Sequence, residues 1–400
     1  MADDFRTDPP ELEEHETAPE TEEIEQAGTR LFEDKRRIAG VLLAFVLLIV
    51  AIYVLLPRVA GVGDALHRLD NPKWIWIVIA VGFNVFSFLA YMTVFRALMT
   101  TRARRKIVNR LDIGSSYEIT MAGFAATTLF SAAGAGGIAL TYWALRKAGM
   151  PRRETAGREV AFLALLYTIY LGALVVFGIL LRTGVLPGSS PWAGTILPAA
   201  LAGGALAIIG LLALIPGDVE RRIKQLGDGG RFHRVMQRLA AAPATVSSGV
   251  RFALSHLRHP RYGSTAILGA IGYWAGMVGI LWASFKAFGG SVPLGVVVQG
   301  FFVGMAANLA PSPAAGVGTL DAGMIGAFLL FDQPTETVFP AVLAFRLVGF
   351  WLPIIPGVIA YFQVRRRVAK WQEEDAAERY TIKSKVRQEA GTARLTAEES

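Results

Sequence analysis

The sequence contains no cysteine, which removes disulfide bridges, thiolate metal sites and cysteine nucleophiles. Histidine is scarce too: His15, His67, His233, His256 and His259 all fall outside the long apolar blocks. Metal-assisted hydrolysis and Cys/His chemistry therefore lack their parts. Gly188-Ser189-Ser190 reads as a loop turn, not a nucleophile elbow. Gly134-x-Gly136-Gly137 has none of the strand–helix context of a dinucleotide fingerprint. The expectation is a protein that is not an enzyme and that uses no cofactor and no metal. Charge is also sparse: 18% of the 400 residues are charged and 53% are hydrophobic, with a mean hydropathy of +0.43. A water-soluble chain of this length needs far more polar surface.

What is present is apolar sequence in long blocks. Ile38–Leu56, Trp74–Leu98, Val160–Leu181, Thr195–Ile215, Ser264–Phe288 and Val338–Phe362 each approach or exceed the roughly 20 helical residues that cross a hydrocarbon layer. They lack period-2 alternation and read as helices, not barrel strands. The fold class expected is all-α: a polytopic transmembrane helix bundle. The first block follows Lys35-Arg36-Arg37 without a small-residue cleavage site, so it reads as a retained anchor.

The net charge of +8 is a sum of opposites. Residues 1–34 hold thirteen acids against Arg6 and Arg30, which reads as an acidic, disordered cytoplasmic tail. The Lys and Arg of the remainder sit in short clusters beside apolar spans, and such clusters report orientation. This placement argues against a nucleic-acid partner. Lys35–Arg37, Arg102–Lys106 with Arg110, nine basic residues in Asp218–Tyr262, and Arg365–Arg367 with Lys370 mark the inside. The loops Arg182–Gly194, with one basic residue, and Phe331–Thr337, with none, mark the outside. Both termini are then cytoplasmic, in a bacterial-type plasma membrane. The layout is a tail over 1–34, a membrane domain over 35–365 with a basic connector at 217–262, and a cytoplasmic tail over 366–400.

Two apolar stretches are interrupted. Ile113–Leu145 has basic flanks on both sides and is too short for two full spans, which need roughly 40 residues. It breaks at Gly134, Gly136 and Gly137. A hairpin that enters from the cytoplasm, breaks at these glycines and returns satisfies both charge and length. The second break, at Pro311, Pro313, Gly316 and Gly318, carries no Lys or Arg and has non-basic outer flanks. It reads as a hairpin entering from the opposite face, although two full spans over 293–331 also fit. Broken backbone at that depth is tolerated only inside protein or beside a wet cavity. Ala132-Ala133-Gly134-Ala135-Gly136 matches Ala314-Ala315-Gly316-Val317-Gly318, and Glu154-Thr155 and Glu336-Thr337 follow at identical spacing. The expectation is six full spans plus two re-entrant hairpins in an inverted repeat, an arrangement that places substrate sites near the midplane.

The run Gly136-Gly137, Leu145-Arg146-Lys147 and Gly149 resembles the first signature of the flippase-like membrane domain of lysylphosphatidylglycerol synthases and its stand-alone relatives. Pro311, Pro313, Gly316-Val317-Gly318, Asp321-Ala322-Gly323, Ala344–Leu347 and Phe350–Pro353 resemble the second. With the span pattern, the resemblance covers roughly residues 38–365. In the first signature Ile138 and Thr141 stand where the family carries an acid and an arginine, while Asp321 replaces the family's glutamate. Only a short polar tail follows Phe362 in place of a soluble aminoacyl-transferase domain. The resemblance therefore implies lipid handling or translocation without lysine transfer.

Four residues form the candidate substrate site: Asp321, Arg346, Glu118 and Asn308. Asp321 lies roughly 15 Å below the outer end of its arm, and Arg346 roughly 12 Å below the start of the last span. These matching depths permit an ion pair. Intramembrane charges usually line a pathway or one another, and Asp321 also suits a half-helix N-terminus. Glu118 sits at the cytoplasmic entrance of the first hairpin, where it could face a polar cavity or simply reach water. Asn84, Asn308 and Gln299 fit interhelical hydrogen bonding, and Trp74, Trp76, Trp192 and Trp351 fit interface anchors. The partners expected are membrane lipids with an anionic headgroup, and the oligomeric state stays open. The leading reading is translocation or sheltering of a lipid or lipid-linked intermediate. A non-transporting membrane scaffold or regulatory subunit is the alternative, and a small-solute secondary transporter comes third.

Overall fold

The structure, a computed structural model, describes residues 72–101, 103–129, 135–214, 260–309 and 318–398. The expected tail 1–34, the span Ile38–Leu56, nearly all of the connector 217–262 and the residues Gly134, Pro311, Pro313 and Gly316 lie outside the described residues. The described residues are helical, with no strand among them. In chain order the helices are α1 (Trp74–Thr100), α2 (Arg105–Arg110), α3 (Ile113–Leu129), α4 (Ala135–Lys147), α5 (Arg152–Arg182) and α6 (Ile196–Leu214). After the connector come α7 (Pro260–Ala287), α8 (Leu294–Met305), α9 (Thr319–Leu330), α10 (Thr335–Arg346) and α11 (Ile354–Glu398). A 3-10 turn, Ala306–Leu309, extends α8, and a π turn, Leu347–Trp351, joins α10 to α11.

Among the described residues, four helices are long and apolar enough to cross a membrane: Trp74–Thr100, Arg152–Arg182, Gly263–Ala287 and the α10–α11 run Thr335–Lys385. Proline sets several starts: Pro151, Pro293 and Pro334 occupy the N-caps of α5, α8 and α10. A proline there has no N–H to lose, because the first turn leaves its amides unpaired anyway. Pro353 acts likewise between the π turn and α11. The Leu352 amide bonds back to the Leu347 carbonyl at 2.8 Å, and the α-helix resumes at Ile354.

α1 and α7 pack closely, and they run antiparallel. The Lys73 amide donates to the Ala287 carbonyl at 2.9 Å, and further along the Ser87 hydroxyl donates to the Tyr273 carbonyl at 3.0 Å. The contact is made by a stripe of glycines on α7. A Cβ on Gly279 would meet the Phe83 ring at 2.6 Å, one on Gly276 the Ser87 Cβ at 2.7 Å, and one on Gly269 the Val94 side chain at 2.8 Å. In a membrane, helices cannot gain by hiding apolar surface from water. Close backbone approach through small residues supplies the attraction instead.

The short helices pair as hairpins, and each pair is closed by glycines from both arms. In α3–α4, a Cβ on Gly137 would overlap the Thr127 hydroxyl and lie 2.6 Å from the Gly123 carbonyl, and one on Gly123 would come 3.1 Å from Thr141 Oγ1. In α8–α9, a Cβ on Gly304 would sit 2.7 Å from the Met324 Cα, and one on Gly323 would overlap Ala307. Each hairpin is wrapped by its own apolar core. One gathers Val94, Phe95 and Leu98 of α1 with Ile119, Leu140, Phe162 and Tyr361. The other gathers the far half of α5 with Phe301, Phe328 and Phe345.

The helix starts repeat at nearly constant spacing. Residue 260 follows 74, 294 follows 113, 319 follows 135 and 335 follows 152, about 181 to 186 positions each time. The C-terminal segment adds a feature the composition hides. α11 continues as one 45-residue helix well past the apolar block, and its polar part returns to α2. Lys106 pairs with Asp375 at 2.7 Å and Glu378 at 2.6 Å. Arg110 pairs with Asp375 at 2.7 Å and lies 5.7 Å over the Trp371 ring.

Candidate functional site

Asp321 and Arg346 meet, as their depths in the sequence suggest. Gly318 holds a left-handed φ of 87° as the N-cap of α9, a conformation glycine adopts without steric cost. That turn lets the Asp321 carboxylate reach back, where one oxygen accepts the Gly318 amide at 3.0 Å. The other oxygen lies 3.0 Å from Arg346 Nε. The carboxylate thus completes the unpaired first turn of a 12-residue helix, whose positive end also favours it.

Arg346 is fully buried at the last position of α10. The guanidinium lies 4.5 Å over the Phe350 ring, which the π turn carries. Phe350 in turn lies 5.7 Å from Phe345 and 6.3 Å from Phe124 of α3. The stack therefore links the Arg346 site to the first hairpin. A short π segment of this kind frequently marks a functional position, and here it presents the ring that faces the charge.

Glu118 is not part of that cluster. It is buried on α3 and takes both ends of the Arg367 guanidinium from α11, at 2.7 and 2.6 Å. Asp112 stands 3.9 Å from the same guanidinium. Hydrogen bonds from Ser115 to Asp112 hold that carboxyl below the ordinary carboxylate range. The Arg367 side chain is 34% exposed, so the pair with Glu118 contributes modestly. Glu118→Gln is expected to lower stability by about 1 kcal/mol or less, and added salt should shrink the difference. Thermal melts at two salt concentrations check this.

Asn308 falls in the 3-10 turn that ends the first arm of the second hairpin; its side chain lies outside the description. Gly136 and Gly137 open α4, and Gly137 makes the tight contact with α3 given above. Gln299 is buried and donates from Nε2 to the Gly194 carbonyl at 3.0 Å, tying α8 to the loop that precedes α6 and not to another helix. Trp74 and Trp192 are exposed, while Trp76 packs edge-on against Trp282 at 5.3 Å. Two charged residues stand out that the sequence reading did not single out for a site. Arg367 lies in a cluster read as an orientation marker. Arg158 is buried and holds Glu154 at 2.7 Å, and it donates to the carbonyls of Leu98 and Thr101, which pins α5 to the end of α1.

The arrangement is thus a buried cation beside a carboxylate, where the start of α9 meets the end of α10. The sequence profile described as the lysylphosphatidylglycerol synthase TM region matches residues 38–357. The chain belongs to this family. The match takes in the helix pairs α3–α4 and α8–α9 and the Asp321–Arg346 pair. No curated protein matches the chain. Membership in the synthase membrane-region family agrees with the all-helical, membrane-spanning fold.

Proposed function

We propose that this member of the synthase membrane-region family translocates or shelters a phosphate-bearing lipid, with Arg346 as the headgroup contact. One observation carries the proposal: a fully buried arginine whose carboxylate partner sits at the N-terminus of a half-length helix. α8 and α9 have 12 residues each and so reach about 18 Å, well short of a roughly 30 Å hydrocarbon layer. Half-length arms, glycine closure and the proline- and glycine-rich break support a re-entrant hairpin. For α3–α4, the 13-residue second arm and the glycine closure support re-entry.

The repeated spacing of helix starts supports an inverted repeat. So does the antiparallel packing of α1 on its counterpart α7, because counterparts related by an axis in the membrane plane run in opposite directions. Six full crossings, cytoplasmic termini and a plasma-membrane location complete this reading, and the charge clusters favour it. In it the protein catalyses no covalent reaction. The headgroup phosphate displaces Asp321 from Arg346, and Asp321 takes the arginine back when the lipid leaves. The acyl chains meanwhile stay in the surrounding bilayer.

The test is reconstitution of the full chain into vesicles with lipids labelled on the headgroup, across anionic and zwitterionic classes. Transbilayer movement is expected to exceed that of protein-free vesicles for at least one anionic class, and Arg346→Gln should return it to the protein-free rate. Equal rates across all classes with and without protein would remove translocation and leave a scaffold.

A further inference from the structure

Glu159 is a buried acid on α5 that plays no part in the Arg346 site. It lies on α5 about 10 Å from the helix start, counted at 1.5 Å per residue. It is 7% exposed, and among the described residues it makes no hydrogen bond or ion pair. The adjacent Arg158 points elsewhere, to Glu154 and to the carbonyls of Leu98 and Thr101. Glu154 is spent on that pair.

Among the described residues, no basic side chain is paired with Glu159, and aromatic and hydroxyl side chains pack nearby. Phe162, one turn further along α5 from Glu159, packs edge-on against Tyr91 of α1. The Tyr91 ring lies 5.0 Å from Phe162 and 5.1 Å from Tyr273. One and two turns back along α1 are Ser87 and Asn84, both buried, and Asn84 Nδ2 has no hydrogen-bond partner among the described residues. Of the other helices packed on α5, α8 and α6 contain no ionisable residue. On α4 the ionisable residues are Tyr142, Arg146 and Lys147, and Arg146 donates to the Met150 carbonyl. An ionised carboxylate in such a place has lost its water and gained no cation, a costly state. A neutral acid avoids that cost and can lend its O–H to a tyrosine oxygen.

We propose that Glu159 is a proton-binding site, loaded in this conformation and unloaded when α5 shifts against the α1–α7 pair. The site sits where three helices from both repeat halves meet: α1 and α5 from the first, α7 from the second. Tyr273 packs against both apolar cores, so a movement between the halves changes what Glu159 touches. Resting on the translocation reading above, the inference supplies its energy source: a proton carried in one stroke and released in the other.

Infrared spectra of the purified full chain in lipid nanodiscs, titrated with pH, test the site without reference to transport. A protonated-carboxyl band is expected to survive at neutral pH, where an exposed glutamate is ionised. It should vanish in Glu159→Gln and remain in Asp321→Asn. Matching neutral-pH spectra for Glu159→Gln and the wild type would overturn the proposal. Should Glu159→Gln fail to fold, Tyr91→Phe is expected to move the band's position, and an unmoved band contradicts the assignment. In vesicles, lipid movement by the wild type should depend on a pH gradient and that of Glu159→Gln should not. If no lipid moves while the band persists, the translocation reading falls and the proton site stands.

Discussion

Arg346→Ala is expected to lower stability by about 3–5 kcal/mol, the usual cost of leaving a buried charge without its partner. The arginine is fully buried and the Asp321 side chain is only 12% exposed, so water cannot replace the lost guanidinium. The Phe350 ring also loses the cation stacked on it at 4.5 Å, a contact worth about 2 kcal/mol when desolvated. Asp321 keeps only the Gly318 amide. Adding Asp321→Asn to Arg346→Ala should recover part of the loss, because the orphaned charge is then gone. Chemical unfolding of the two single variants and the double variant in detergent gives the coupling directly. A double variant no more stable than Arg346→Ala would mean the pair does not act as a unit.

Gly137→Leu is the second large effect. Its Cβ would overlap the Thr127 hydroxyl and press on the Gly123 carbonyl at 2.6 Å. The threonine can rotate, but the carbonyl belongs to the backbone of α3 and cannot yield without moving the arm. The first hairpin must then splay, at a cost of about 1–3 kcal/mol for overpacking and with loss of the inter-arm contact that the break requires. Gly157→Ala on α5 is the matched control, since nothing lies within 4 Å of its added Cβ. It should be neutral or gain up to about 1 kcal/mol from helix propensity. Melting temperatures of the two variants in detergent compare them.

Much of this is legible in the sequence, for reasons that differ residue by residue. Apolar blocks report helices because a membrane span must satisfy its own backbone, and the described blocks at Trp74, Val160 and Ser264 all lie within long helices. Asp321 and Arg346 were visible because a charge in an apolar run has few places to go. The glycines of the hairpins were visible as breaks, but not as contacts: that Gly123 opposes Gly137, and Gly304 opposes Met324, depends on how the arms lie together. Arg367 was hidden by its neighbours, since Arg365 and Arg366 make it look like one more orientation signal. Glu159 was hidden in the same way beside Arg158. In both cases helical geometry, about 100° between successive residues, sends adjacent charges to different surroundings. The extension of α11 to Glu398 carries little apolar sequence to announce it, and its contacts with α2 rest on charged side chains.

The most direct test of the account is the affinity of an anionic phospholipid for Asp321→Asn, measured against wild type in a zwitterionic nanodisc. If the headgroup and Asp321 compete for Arg346, removing the aspartate charge must tighten lipid binding, while Arg346→Gln must weaken it. Lipid affinity that is unchanged or lower in Asp321→Asn would contradict the competition and leave the buried pair as a purely structural tie.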